Sequence, residues 1–149
     1  MRALVQRVRE ACVIVDDATV GEVGPGLLVY AAAAPDDGDA DVRYIAEKVA
    51  HLRIFPDDDG KMNRSVVDTG GGVLLVSAFT LQADARKGRR PSFDASASGD
   101  VAAPLIEQLV EAIRAQGLEV ATGRFGAYMH VHSVNDGPIT MLLDSTRAV

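Results

Sequence analysis

Tryptophan is absent from the 149 residues, and aromatic residues of any kind make up only 5%. A core must therefore be filled by Val, Leu, Ile and Ala, and an apolar content of 48% is enough for one domain spanning 1–149. Cys12 is the only cysteine, which excludes an intramolecular disulfide and agrees with a reducing, cytoplasmic setting. It reads as a small buried strand residue. No apolar run approaches the ~18–20 residues that a membrane span needs. The opening Met1-Arg2-Ala3-Leu4-Val5-Gln6-Arg7 also lacks the continuous apolar segment of a signal peptide. Positive charge is in deficit, 15 Lys and Arg against 21 Asp and Glu, for a net charge of −6. That argues against a general nucleic-acid coat protein. A local basic site is still allowed, because screening at physiological salt confines exposed charges to about 8 Å.

What is present alternates in short apolar segments. Residues 2–8 and 11–15 read as two strands or one long bent strand, followed by a turn at Asp16-Asp17 and a return strand over 19–23. Gly24-Pro25-Gly26 punctuates, and the nearly unbroken apolar run 27–33 has the pattern of a strand covered on both faces. Pro35 to Asp39 opens a helix in which Val42, Ile45, Ala46, Val49 and Leu52 keep helical spacing. A short strand, Arg53-Ile54-Phe55, precedes the acidic run Asp57-Asp58-Asp59, which lacks the spacing and terminal glutamate of an EF-hand and reads as a solvated turn. Gly70-Gly71-Gly72 has no Lys-Ser/Thr pair after it, so it reads as a flexible entry to a strand at 73–76 rather than a phosphate cradle.

A polar loop over 84–99 leads to a second helix, with Asp100 as N-cap, Pro104 in the first turn and Gly117 just past the end. Strands are expected at 118–122, 128–134 and 139–144, with a loose tail over 145–149. Two main helices interrupting many strands, without regular βα alternation, give an α+β class with a mixed, largely antiparallel sheet.

The usual catalytic inventories fail. His130 and His132 share a strand face, but His51 lies on a helix and no Cys or carboxylate cluster completes a metal set, so a surface or interface role fits the pair better. No Gly-x-Ser-x-Gly elbow marks a serine nucleophile. Two segments stand apart. In the first, Ser77-Ala78-Phe79-Thr80, a strand ends in hydroxyls and successive backbone N–H groups that either hold a carbonyl oxygen or simply cap a turn. The second, Asn135-Asp136-Gly137-Pro138-Ile139-Thr140, is either a hairpin turn or a pocket wall in which Gly-Pro offers main-chain carbonyls with little bulk.

These residues, with Gln6-Arg7-Val8, Gly26-Leu27-Leu28-Val29, Arg53-Ile54-Phe55, Gly60-Lys61-Met62-Asn63, Lys87-Gly88-x-Arg90-Pro91-Ser92-Phe93 and Gly123-Arg124-Phe125, resemble the D-aminoacyl-tRNA deacylases from end to end. The resemblance implies a barrel-like sheet, a homodimer with active sites at the subunit interface, and hydrolysis of D-aminoacyl-tRNA without metal or organic cofactor. It implies a cis Gly137-Pro138 pair that enters the neighbouring subunit's pocket and rejects L-aminoacyl groups, steadied by Arg7 and supported by Thr140. Ser77, Phe79 and Thr80 would bind the terminal adenosine and hold the ester carbonyl, with Met129 near the adenine. Glycyl esters, being achiral, would be admitted. One position departs from the family: Ala78 stands where Gln is usual, which removes an amide donor and acceptor from the pocket wall.

The run Arg86-Lys87-Gly88-Arg89-Arg90 places four cations in five residues of an acidic chain. With a polyanionic substrate implied, Arg86, Lys87, Arg89 and Arg90 read as contacts to tRNA phosphates. Two other readings compete. One is a nucleic-acid-binding module of the same fold without turnover. The other is a conventional hydrolase using Thr80 or the His130/His132 pair.

Overall fold

Strand β1 (Arg2–Val15) is the spine of the molecule and pairs with three other strands. In the computed structural model, which describes residues 1–149, it is followed by β2 (Ala18–Val23), β3 (Gly26–Ala32), α1 (Asp39–His51), β4 (Phe55–Pro56), β5 (Met62–Arg64) and α2 (Val66–Thr69). Then come β6 (Gly72–Ser77), a 3₁₀ turn (Phe79–Gln82), α3 (Gly99–Arg114), β7 (Val120–Thr122) and β8 (His130–Asp144).

One edge of β1 pairs with β8 along nearly its whole length, while the other is shared between β3 and β2, all antiparallel. Beyond β3 the sheet continues through β6 and β7 in parallel pairings. It curls until β7 reaches β2, where a Cβ on Gly21 would collide with the Thr122 carbonyl. The result is the mixed, barrel-like α+β fold.

Alternation along the strands builds two cores. Leu28, Leu74 and Val76 point into the barrel with Val8, Val13 and Val15. Leu27, Val29, Val73 and Leu75 point outward, against Val49 of α1 and Leu109 and Ile113 of α3. Strands β3 and β6 are therefore apolar on both faces, which accounts for their unbroken runs. Burying each such side chain stabilises the fold by roughly 1.5–3 kcal/mol.

Several boundaries differ from the sequence reading. Residues 130–144 form one strand, not two strands joined by a hairpin, because both flanks of Asn135-Asp136-Gly137-Pro138 pair with β1 and not with each other. Helix α3 begins two residues early, preceded by Ser98 rather than Asp100. That puts Pro104 in its second turn, where the carbonyl of exposed Asp100 loses its helical partner. Ala115 caps the helix, and Gly117, at φ +91°, follows two residues later.

Gly70 is not a loose linker. It takes a left-handed conformation that ends α2, a helix opened by a Ser65–Asp68 capping box. Nor is the start of the tail loose. The buried Met1 ammonium pairs with Asp37 at 2.8 Å and donates to Ser145 Oγ at 2.8 Å, and Ser145 N–H donates to the Met1 carbonyl.

Candidate active site

Ser77 is the last residue of β6, level with Ala31 of β3. The chain then folds into the 3₁₀ turn, with Ala78 N–H donating to the Ala31 carbonyl at 2.9 Å. As the first residues of that turn, Phe79 and Thr80 present N–H groups that have no acceptor within it. Two ties hold the turn against the sheet. Arg2 Nη1 donates to the Leu81 carbonyl at 3.1 Å, and the buried Gln82 amide donates to the Ala32 carbonyl at 3.2 Å. Arg2 is itself clamped by Asp144, its Nε lying 3.0 Å from Oδ2.

Beside Ser77 opens a cavity of about 300 Å³ lined by Thr122, Gly123 and Phe125 of the β7 end and by Ala103, Ile106 and Glu107 of α3. Met129 backs this wall. A Cβ on Gly123 would lie 2.7 Å from its sulfur, so a larger residue there would push the methionine side chain off this wall. No carboxylate or imidazole hydrogen-bonds the Thr80 hydroxyl.

The second segment lies on β8. Gln6 pairs with Thr140 and Val8 with Asn135, so Asp136, Gly137, Pro138 and Ile139 bulge out opposite the single residue Arg7. The Arg7 guanidinium spans two backbone segments, donating from Nε to the Asp136 carbonyl at 3.2 Å and from Nη1 to the Ile54 carbonyl at 2.7 Å. The base of the bulge is closed by Thr140 Oγ1, which accepts from Asn135 Nδ2 (2.9 Å) and Gln6 Nε2 (3.2 Å). Asn135 Oδ1 accepts from Ile139 N–H at 3.3 Å. Gly137 and Pro138 are exposed and joined by a cis peptide bond.

Within one chain the two segments do not meet. Strands β1 and β3 stand between β8 and β6, three spacings of ~4.8 Å each.

The basic loop follows the 3₁₀ turn. Its neck is closed by reciprocal backbone bonds between Asp84 and Ser92, at 2.8 and 2.9 Å. Arg86 turns back onto Asp84, with Nε–Oδ1 2.9 Å and Nη2–Oδ2 2.7 Å. These bonds, the Arg86 N–H and the guanidinium charge hold the Asp84 carboxyl down to about 2. Lys87, Arg89 and Arg90 are exposed and have no acidic partner.

His130 and His132 are both exposed on β8, opposite Ile14 and Cys12, and no three His, Cys, Asp or Glu side chains are arranged to hold a metal. No helix is long and apolar enough to cross a membrane.

The family model described as D-Tyr-tRNA(Tyr) deacylase matches residues 4–144. The chain belongs to this family. It is 56% identical over 144 residues to the D-aminoacyl-tRNA deacylase of Heliobacterium modesticaldum, covering 97% of this chain and 96% of that one. Identity to the Thermotoga petrophila D-aminoacyl-tRNA deacylase is 55% over 147 residues, 99% of each. Among solved structures it superposes on the c-Myc DNA Unwinding Element Binding Protein with a TM-score of 0.91 and 35% identity, over 97% of this chain and 98% of that one. A probable eukaryotic D-amino acid tRNA deacylase shares the fold, with a TM-score of 0.81 at 20% identity, over 95% and 97% of the two chains.

Membership in the deacylase family makes the chain a hydrolase. Supporting contacts also fall to Arg2, Gln82 and Asn135, of which only Asn135 lies in a motif quoted above, with no role of its own there. Arg2 and Gln82 act on partners 79 and 50 residues away, so no local pattern announces them.

Proposed function

We propose that the protein hydrolyses the ester of D-aminoacyl-tRNA as a cytoplasmic homodimer, with Gly137 and Pro138 of one subunit closing the pocket of the other. The observation that carries this reading is the separation of the two segments within one chain. A turn with free N–H groups and an exposed main-chain bulge become one pocket only when a second copy supplies the bulge.

In that pocket the terminal adenosine would sit by Ser77, with its base in the cavity backed by Met129. The ester carbonyl would point at the Phe79 and Thr80 N–H groups. Each such donor is worth ~3–4 kcal/mol when an oxyanion develops. Water attacks the carbonyl carbon, the ester C–O bond breaks, and the ribose 3′ oxygen leaves with a proton. The neighbouring 2′-hydroxyl of the RNA assists. This route suits a Thr80 hydroxyl with no base beside it; a Thr80 nucleophile would need one. The Gly137-Pro138 wall crowds the side chain of an L-aminoacyl group and leaves a D side chain or glycine free. Ala78 takes no polar part. Lys87, Arg89 and Arg90, with Arg86 restrained by Asp84, meet the acceptor-stem phosphates.

The test is to follow release of amino acid from D-Tyr-tRNA, L-Tyr-tRNA and Gly-tRNA. Hydrolysis of the first and third with the second spared is expected. Equal rates on the D and L esters, or none on any, would reject the reading. A second reading, a nucleic-acid-binding module without turnover, draws on Ala78 and on the solved relative named for binding a DNA element. It requires tRNA binding with no release.

A further inference from the structure

The loop behind the 3₁₀ turn carries more than charge. Phe93 stands one residue beyond the Asp84–Ser92 neck, and its ring meets that of Phe79 edge-on, with centroids 5.2 Å apart and planes at 69°. Both rings face solvent, Phe79 at 55% and Phe93 at 37% exposure. The support beneath them is fixed at both ends of the loop. Gln82 holds the Ala32 carbonyl, and Ala97 N–H donates to the Ala33 carbonyl at 3.0 Å. Two exposed rings on an anchored loop, beside Lys87, Arg89 and Arg90, combine an aromatic face with unpaired cations. That combination suits single-stranded nucleic acid, since every base has a face to stack and every nucleotide a phosphate to pair.

We propose that Phe93 is a stacking site for an unpaired nucleotide immediately upstream of the terminal adenosine, whose flanking phosphates pair with Lys87, Arg89 and Arg90. The assignment rests on the deacylase reading above, and it adds a subsite to it. Phe93 meets Phe79 through the ring alone and takes no hydrogen bond from the Phe79 or Thr80 N–H groups. Its effect therefore falls on binding of the RNA strand and spares the chemical step.

Two substrates separate this role from a merely structural one. D-Tyr-tRNA carries the upstream nucleotides, and 3′-O-D-tyrosyl-adenosine carries the same ester without them. Phe93→Leu is expected to raise KM for the tRNA roughly tenfold, the scale of one lost stacked base. It leaves kcat on the tRNA and both constants on the nucleoside ester as in the wild type, and Phe93→Trp restores KM. A loss of equal size on both substrates would make Phe93 a prop for Phe79 and overturn the proposal. So would an unchanged KM on the tRNA.

The chain has no tryptophan, so Phe93→Trp also supplies a single indole that can be excited apart from the three tyrosines. Uncharged tRNA ending in CCA is expected to quench it, and saturating adenosine monophosphate, which carries the terminal base without its upstream neighbours, is not. Equal quenching by both would likewise overturn the assignment. This readout needs no turnover, so it stands apart from the outcome of the deacylation assay.

Discussion

Arg2 and Leu81 are 79 residues apart in sequence, yet the guanidinium of the first donates to the carbonyl of the second at 3.1 Å. The same guanidinium is oriented by Asp144, so the last strand, the first strand and the 3₁₀ turn are joined through one side chain. The N–H groups of Phe79 and Thr80 sit on the turn that this contact restrains.

Replacing Arg2 by Met keeps the apolar stem and removes both bonds. kcat on D-Tyr-tRNA should fall by roughly tenfold, about 1.4 kcal/mol of transition-state stabilisation, with KM little changed. Steady-state kinetics read the split. A rise in KM alone would show that the turn does not depend on Arg2 for its alignment.

Arg7 offers a different readout, namely selectivity. Arg7→Lys keeps the charge, yet a single ammonium cannot reproduce the fork that serves both the Asp136 and Ile54 carbonyls. The ratio of D-ester to L-ester hydrolysis should fall at least several-fold. The thermal midpoint should drop by an amount consistent with about 1–3 kcal/mol for a carbonyl left unsatisfied. An unaltered D/L ratio would detach the guanidinium from the filter.

Gly137 has φ +131°, and a Cβ there would lie 2.8 Å from Ile139 Cγ1 and 3.3 Å from Arg7 Nη2. Gly137→Ala should therefore cost roughly 1–3 kcal/mol of stability and displace the bulge. Activity on D-Tyr-tRNA should fall more steeply than the loss of folded protein, measured by circular dichroism on the same sample, can explain. Proportional losses would place the defect in folding alone.

The Asp84–Arg86 pair sets a pH window. Asp84 has its carboxyl depressed to about 2, so the order it contributes is present above the ordinary carboxylate range and is lost as pH falls toward 2. Measured against the intrinsic exchange rate at each pH, the amides of residues 84–92 should lose protection over that interval, ahead of the core strands. Arg86→Gln should move the Asp84 midpoint back up toward the usual carboxylate value, as read by NMR titration. A midpoint unmoved by that substitution would assign the depression to other groups.

The apolar alternation of β1, the unbroken apolar runs of β3 and β6 and the stripe of α3 were legible because burial on one face leaves a local period and burial on both leaves a run. The capping box Ser65-x-x-Asp68 was equally present in the sequence, and α2 was missed by reading its C-cap glycine as a linker. The continuity of β8 had no such signal. Asn-Asp-Gly is ordinary hairpin chemistry, and only pairing of both flanks with β1 turns it into a bulge. Ser77, Phe79, Thr80, Gly137 and Pro138 stand out by a local chemistry that leaves two readings open, and motif resemblance favours one of them; periodicity does not indicate them. Their local chemistry is also that of common turns. Arg7 was legible by the same route, but its hold on Ile54 depends on tertiary approach of the β4 segment.

Arg2 and Arg7 lie five positions apart on an unbroken strand, about 17 Å of extended backbone. One steers the turn and the other the bulge, so β1 acts as a common ruler for both. Slippage of that strand by a single residue would misplace the two together. Neither half can fray while its counterpart stays aligned, so catalytic decay on heating and the melting of the sheet should trace a single curve.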